Sequence, residues 1–186
     1  MTLQTSGAIS LANIAAEFGG STPHSLSEYY GAASGIPNSG TISFNQFYGK
    51  SNGYSATMTV GSHTVTDQYV SSQSYGYNNG SRSPVFNGTN FGSMTSINTN
   101  AVISGSQLVH LAWINLTNVI RLILEDSQSV SNSGWSTLNW GGNTYSRTSA
   151  TYTTGTKTYG YGHYAIWSWS ASSSPFTSGN RSVSIS

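Results

Sequence analysis

A row of rings alternates late in the chain: Tyr159, Tyr161, His163, Trp167 and Trp169. An undistorted strand would set these on one face, with Tyr164 and Ile166 on the other. Ring faces stack on the apolar faces of sugars while Tyr and Trp polar atoms reach hydroxyls, so this row is a candidate ligand face for a glycan. The same alternation also suits a core strand in which Trp167 and Trp169 point inward. A second candidate surface holds Tyr75, Tyr77, Phe86 and Phe91, in segments rich in the Tyr, Ser, Gly and Asn that adaptable recognition loops use.

Catalytic chemistry finds little to work with. The five acids are Glu17, Glu28, Asp67, Glu125 and Asp126. Glycoside hydrolysis needs two carboxylates facing each other across a bond, and only Asp67 with Glu125 or Asp126 could supply them beyond the N-terminal region. Nothing in the spacing brings these together, and a role in solvated turns is the simpler reading. The four His residues, His24, His63, His110 and His163, lack a His-x-x-x-His spacing. His110 lies in an apolar stretch, where a hydrogen-bonded core histidine is the usual occupant. There is no Cys, no Gly-x-Ser-x-Gly elbow and no phosphate-cradling loop. The Glu125-Asp126 pair is a weak basis for Ca²⁺. The expectation is a protein that is not an enzyme and carries neither metal nor cofactor.

Composition narrows the partners. Only 6 % of the 186 residues are charged and the formal net charge is +1, which offers no field for phosphates and argues against nucleic-acid binding. Aromatic residues make up 12 %, enough to favour a packed fold over a disordered polar chain. The N-terminus Met1-Thr2-Leu3-Gln4 lacks a basic n-region and a long apolar run. The most apolar stretch, Leu108 to Leu124, contains His110, Asn115, Asn118 and Arg121, so membrane insertion is not expected.

The elements that would position these residues fall into two parts. Residues 1–50 write one phrase three times: Ser10-Leu11-Ala12-Asn13-Ile14, Ser25-Leu26-Ser27-Glu28-Tyr29-Tyr30-Gly31 and Ser43-Phe44-Asn45-Gln46-Phe47-Tyr48-Gly49. Each reads as a short helix with Ser as its N-cap. Glu28 and Gln46 stand at capping-box spacing from Ser25 and Ser43, and Ile9 with Ile14 and Ile42 with Phe47 stand at hydrophobic-staple spacing. Gly19, Gly31 and Gly49 stop the helices. Helices below about 12 residues are marginal alone, so the apolar row must dock. It comprises Ile9, Leu11, Ile14, Phe18, Leu26, Tyr29, Tyr30, Ile42, Phe44, Phe47 and Tyr48. Its partner is either this chain's own remainder or another protein.

From Lys50-Ser51-Asn52-Gly53 onward the apolar period changes to alternation. Tyr54 to Val60 and Val65 to Val70 read as strands joined by a type II′ turn at Gly61-Ser62. Residues 71–100 read as long loops with one short strand. Gln107–Ile114 and Val119–Glu125 read as strands, with Ile120, Leu122 and Leu124 on one face and Arg121 and Glu125 on the other; a helix is the competing reading. Trp135–Trp140 and Thr144–Tyr152 read as a hairpin around Gly141-Gly142-Asn143, Gly160–Trp169 as a further strand, and Val183 with Ile185 as the last. The fold class expected is mainly β: a short-helix leader over 1–50, then an antiparallel β-sandwich of jelly-roll or Ig-like type over 51–186.

The leader also resembles a known segment. Gly7 to Gly19, Ser25 to Gly31, Gly35-Ile36-Pro37 and Ser39 to Lys50 are similar to a leader found on virion structural proteins of tailed bacteriophages, where it precedes unrelated β-rich domains in tail fibres and other structural proteins. The resemblance covers about a quarter of the chain. It implies a virion component, assembled in the host cytoplasm, whose leader residues above dock on other virion proteins of tail or capsid. It further implies a homo-oligomer and a β-body that reaches a host-surface glycan or protein. A small tail fibre or tail-associated appendage is the first expectation, a capsid decoration or head-knob protein the second and a free carbohydrate-binding module the third.

Overall fold

A computed structural model describes residues 3–33, 35–37, 39–50, 53–66, 71–95, 106–133, 135–156 and 162–186. The chain divides into two compact units, residues 1–53 with Ser186, and Tyr54–Ile185.

In the first unit the three phrases become α1 (Leu11–Phe18) and two single 3₁₀ turns, Leu26–Tyr29 and Phe44–Phe47. Ser10 caps α1 and Asn13 returns the favour by accepting from the Ser10 amide at 2.9 Å. The Gln46 side chain accepts likewise from the Ser43 amide at 2.8 Å. The box expected at Ser25 does not form, because Glu28 turns instead to the His24 imidazole at 3.2 Å. The fourth residue after each Ser goes inside: Ile14, Tyr29 and Phe47 are buried with Leu3 and Ile36, and the staple residues Ile9 and Ile42 pack against them. One short α-helix and two 3₁₀ turns, each too short to stand alone, thus stand together around one small core.

The second unit is antiparallel throughout: β1 (Tyr54–Thr66), β2 (Ser71–Asn78), β3 (Ser93–Met94), β4 (Gln107–Ile114), β5 (Val119–Asp126), β6 (Thr137–Trp140), β7 (Asn143–Ser146), β8 (Thr151–Thr156), β9 (His163–Ser170) and β10 (Gly179–Ile185). The strand order is β7-β6-β10-β1-β2-β4-β5-β9-β8, with β3 beside β1. Laid flat, the eight steps of this path would span about 38 Å at about 4.8 Å each. Yet β7 and β8, its two ends, are separated in sequence only by Arg147–Ala150, a link that reaches about 17 Å at full stretch. The sheet therefore curls back on itself, and Tyr145 of β7 packs against Trp169 of β9 with ring centroids 5.5 Å apart. One core fills the enclosed space, with Met58, Leu111, Leu122, Leu138, Trp140, Trp167 and Val183 fully buried.

The curl is made at a place the sequence misdirects. Gly61-Ser62 is no turn; β1 runs straight through, pairing with β10 over Tyr54–Val60 and with β2 over Gly61–Thr66. Gly61 is there because backbones cross: a Cβ on it would lie 2.7 Å from the Gly92 Cα, and one on Gly76 would lie 2.6 Å from the Ala112 Cα. Only glycine permits that approach, and it lets one strand leave one half of the sheet and enter the other. Residues 71–78 are correspondingly a strand and not loop.

The remaining differences are ones of pairing. The Gly141-Gly142 hairpin forms, with both glycines at positive φ as a two-residue I′ loop requires. Its second arm stops at Ser146; a 3₁₀ turn over Arg147–Ser149 then sends β8 to the far end of the path to pair with β9. β4 and β5 are strands with Ile120, Leu122 and Leu124 facing the core.

Candidate functional site

The leader's surface follows from how its phrases close on one another. Phe18, Tyr29 and Phe47 form a ring triangle with centroids 5.9–6.2 Å apart. After the second and third phrases the chain turns the same way, through Tyr30-Gly31 and Tyr48-Gly49, with Gly31 at φ +67° and Gly49 at φ +66°. The Tyr30 hydroxyl donates to the Gly40 carbonyl, three residues before the Ser of the third phrase; the Tyr48 hydroxyl donates to the Gly7 carbonyl, three residues before the Ser of the first. The second phrase thus fastens the third, and the third fastens the first. Of the docking residues expected, Ile14, Tyr29 and Phe47 are consumed by this internal core. What remains exposed is Phe44, at 38 %, while Leu11 and Leu26, the equivalent first residues after Ser, are half-buried against that core. Ile9, Phe18, Tyr30, Ile42 and Tyr48 are half-buried around them.

The glycan face is corrected by burial. Trp167 is fully buried and Trp169 is 6 % exposed, and their rings pack edge-to-face with Trp135 at centroid distances of 5.3 and 6.3 Å. Their indole N–H groups are committed as well, Trp167 to Asn132 Oδ1 at 2.9 Å and Trp169 to the Ser146 carbonyl at 2.8 Å. A sugar could reach neither face nor donor. The row packs inward because odd-numbered residues of β9 face the enclosed core. His163 is half-buried; Tyr159 and Tyr161 lie outside the described residues. A cavity of about 80 Å³ does open beside Trp167, lined by Ser106, Asp126, Ser129, Ser131 and Ser133. Its lining of hydroxyls and one carboxylate suits water.

The second aromatic surface also turns inward. Tyr77 and Phe91 are each 6 % exposed, Tyr75 stacks on Trp113 at 6.2 Å, and Phe86 lies against His63 and His110 at 5.2 and 5.8 Å. Tyr75 and Tyr77 join the enclosed core, while Phe86 and Phe91 cover a buried polar pair that sequence reasoning foresaw only in outline. The Asn78 amide donates to the carbonyls of Phe86 and Thr89, which fixes its oxygen toward His110 Nδ1 at 2.8 Å. Nδ1 therefore carries the proton, and Nε2 is the buried atom without a partner among the described residues. Burial, with Arg121 nearby, pushes the His110 pKa down to about 3. Burial likewise pushes the Tyr54 phenol up to about 12.

Of the acids, Glu125 is 5 % exposed and receives Arg82 Nε at 2.7 Å, which replaces the solvated role expected of it. Asp126 accepts from Ser106 Oγ at 3.2 Å and from the Ser127 amide at 2.6 Å. Asp67 lies outside the described residues, so its pairing with either is not described. Among the described residues no group of three or more His, Asp and Glu converges, and no helix is long and apolar enough to cross a membrane.

Comparison with protein-family models, curated proteins and solved structures found no match.

Proposed function

We propose that this chain is a structural protein of a tailed-phage virion, a small tail fibre or tail-associated appendage. In this reading the leader anchors it to other virion proteins and the β-body is displayed, with contact to a host-surface glycan or protein as the body's added role. The observation that carries the reading is the leader: a triplicated phrase resembling that of phage virion proteins, which completes its own core and still keeps Leu11, Leu26 and Phe44 at its surface. A compact unit with its own core can be attached without being unfolded or rebuilt by the domain that follows it. Exposed Phe44 is the hot-spot candidate of that attachment, since apolar anchors carry most of the energy of such contacts. For the body, the curled path with Tyr145 seated on Trp169 supports a β-sandwich of Ig-like or jelly-roll type.

The test is a virion map combined with a surface variant. Phe44→Ser with Leu26→Ser should lower occupancy on particles at least about tenfold, the change that about 1.4 kcal/mol of binding produces, while the body's Trp fluorescence stays native. Wild-type density should lie on the tail at three- or six-fold symmetry. Normal occupancy of the variant overturns the docking role, and density repeated over the shell overturns the tail assignment.

A further inference from the structure

Both ends of the strand path are open edges among the described residues, and they are not alike. β7 is four residues long, and short edges are one way in which proteins blunt unwanted pairing. β8 is six residues, Thr151-Tyr152-Thr153-Thr154-Gly155-Thr156, paired with β9 on one side without a register shift. Over its described residues it has no Lys, no Pro, no charge and no bulge; Lys157 follows directly and lies outside the described residues. Thr151, Thr153, Thr154 and Thr156 are all exposed, so their β-branched side chains offer a wet, extended surface while alternate backbone N–H and C=O groups point away from β9.

We propose that β8 pairs antiparallel with β8 of a second copy of this chain, joining two sheets across a two-fold axis. A second copy suits this edge because its six residues are uncharged and can face themselves without opposing like charges. A two-fold axis relating neighbouring antiparallel strands stands normal to the sheet, so one residue must face itself, and the candidates at the centre are Thr153 and Thr154. Centred on Thr153, the pairs are Thr153 with Thr153, Tyr152 with Thr154 and Thr151 with Gly155. Centred on Thr154, they are Thr154 with Thr154, Thr153 with Gly155 and Tyr152 with Thr156. Every one is a Thr paired with Thr, Tyr or Gly, combinations that suit a sheet and bring no like charges together. The ladder alone is smaller than the about 1,000 Å² that marks a stable interface, so the pairing is weak in dilute solution and gains strength where copies are held close. It gives the expected self-association a surface and stands whether or not the chain belongs to a virion.

The absence of Cys from the chain makes the test direct. In the full chain, Thr153→Cys and Thr154→Cys are oxidised in parallel with Leu116→Cys, whose parent side chain is 71 % exposed in the β4–β5 turn. One of the two strand variants should form a covalent dimer at least about tenfold faster than Leu116→Cys. Adding Thr153→Lys to the Thr154→Cys chain, and Thr154→Lys to the Thr153→Cys chain, should return the rate to that of the turn, with unfolding midpoints unchanged. Strand variants that cross-link no faster than Leu116→Cys overturn the proposal. So does a fast cross-link that Lys leaves untouched, because the copies then meet through another surface.

Discussion

Lowering the pH should unlatch the body at His110, and the size of the effect can be worked out. The imidazole is fully buried, donates from Nδ1 to Asn78, and keeps Nε2 unprotonated without a partner among the described residues. Protonating it would place a charge under Phe86 and Phe91 with Arg121 already near. The other polar groups around this face are Arg82 and Glu125, which pair with each other, and the His63 ring, stacked on Phe91. With a folded pKa of about 3 against 6.5 when unfolded, the unfolded chain binds more protons than the native one between those values. The contribution is therefore complete above about pH 6.5 and is lost as pH falls toward 3. The linkage relation puts the loss at about 2 kcal/mol by pH 5 and about 3 kcal/mol by pH 4. Urea unfolding followed by Trp fluorescence, at pH 7 and pH 5, should show the wild type losing about 2 kcal/mol more than His110→Gln over that interval. Equal losses in the two proteins would refute the assignment. So would a native-state NMR titration of the His110 ring with a midpoint near 6, whichever way the variant folds.

Two further predictions follow from the cores. Gly92 lies at φ +68° where a Cβ would collide with the Gly76 carbonyl, so Gly92→Ala should cost about 3 kcal/mol from overpacking and strain together, read as a lowered urea midpoint of the body; a change below about 0.5 kcal/mol would mean that the crossing is looser than described. Phe47→Ala should remove about 3–5 kcal/mol from the leader's core, more than a unit of some fifty residues ordinarily holds in reserve. Because every Trp lies beyond residue 112, amide exchange should collapse to unprotected rates over Leu11–Phe47 while the Trp unfolding curve stays in place. A matching shift in that curve would show the two cores to be one cooperative unit.

How much of this was legible in the sequence depends on whether the signal was local. The first and third capped phrases, the hairpin at Gly141-Gly142 and the alternation of Ile120, Leu122 and Leu124 are read within a few residues, and each is found in the structure. The misreadings in the body share a non-local cause. Gly61-Ser62 has the composition of a turn, but its glycine answers to Gly92, thirty-one residues away. Thr144–Tyr152 has the composition of one strand, but its halves belong to opposite ends of the sheet. Whether Trp167 and Trp169 faced solvent or core could not be decided from alternation, which is the same for both. The decision came from the curl that brings Trp135 and Tyr145 over them. The box at Ser25 failed because His24, adjacent in sequence, competes for Glu28. That competitor was visible and would have been found by asking what else the carboxylate could reach.

The leader's repetition carries the last step. Three copies of a phrase could serve as three equal docking points, each waiting for a partner; the structure divides the labour within each copy instead. The fourth residue after the Ser faces in, so that Ile14, Tyr29 and Phe47 meet each other. The first lies at the rim, where Leu11 and Leu26 pack half-buried against that core and Phe44 is exposed. Where a Tyr follows, its hydroxyl fastens the next copy, from the second phrase to the third and from the third to the first. The first phrase has Ala15 at that position and runs on as helix to Phe18, whose ring closes the triangle with Tyr29 and Phe47. A closed ring of this kind has its folding determinants inside itself. On the proposed docking role, substitution of exposed Phe44 should weaken attachment while leaving the fold intact, and substitutions at the inward position should remove both. That asymmetry separates anchoring from folding, and it is why Phe44 and Phe47, three residues apart in one phrase, are expected to fail in different ways.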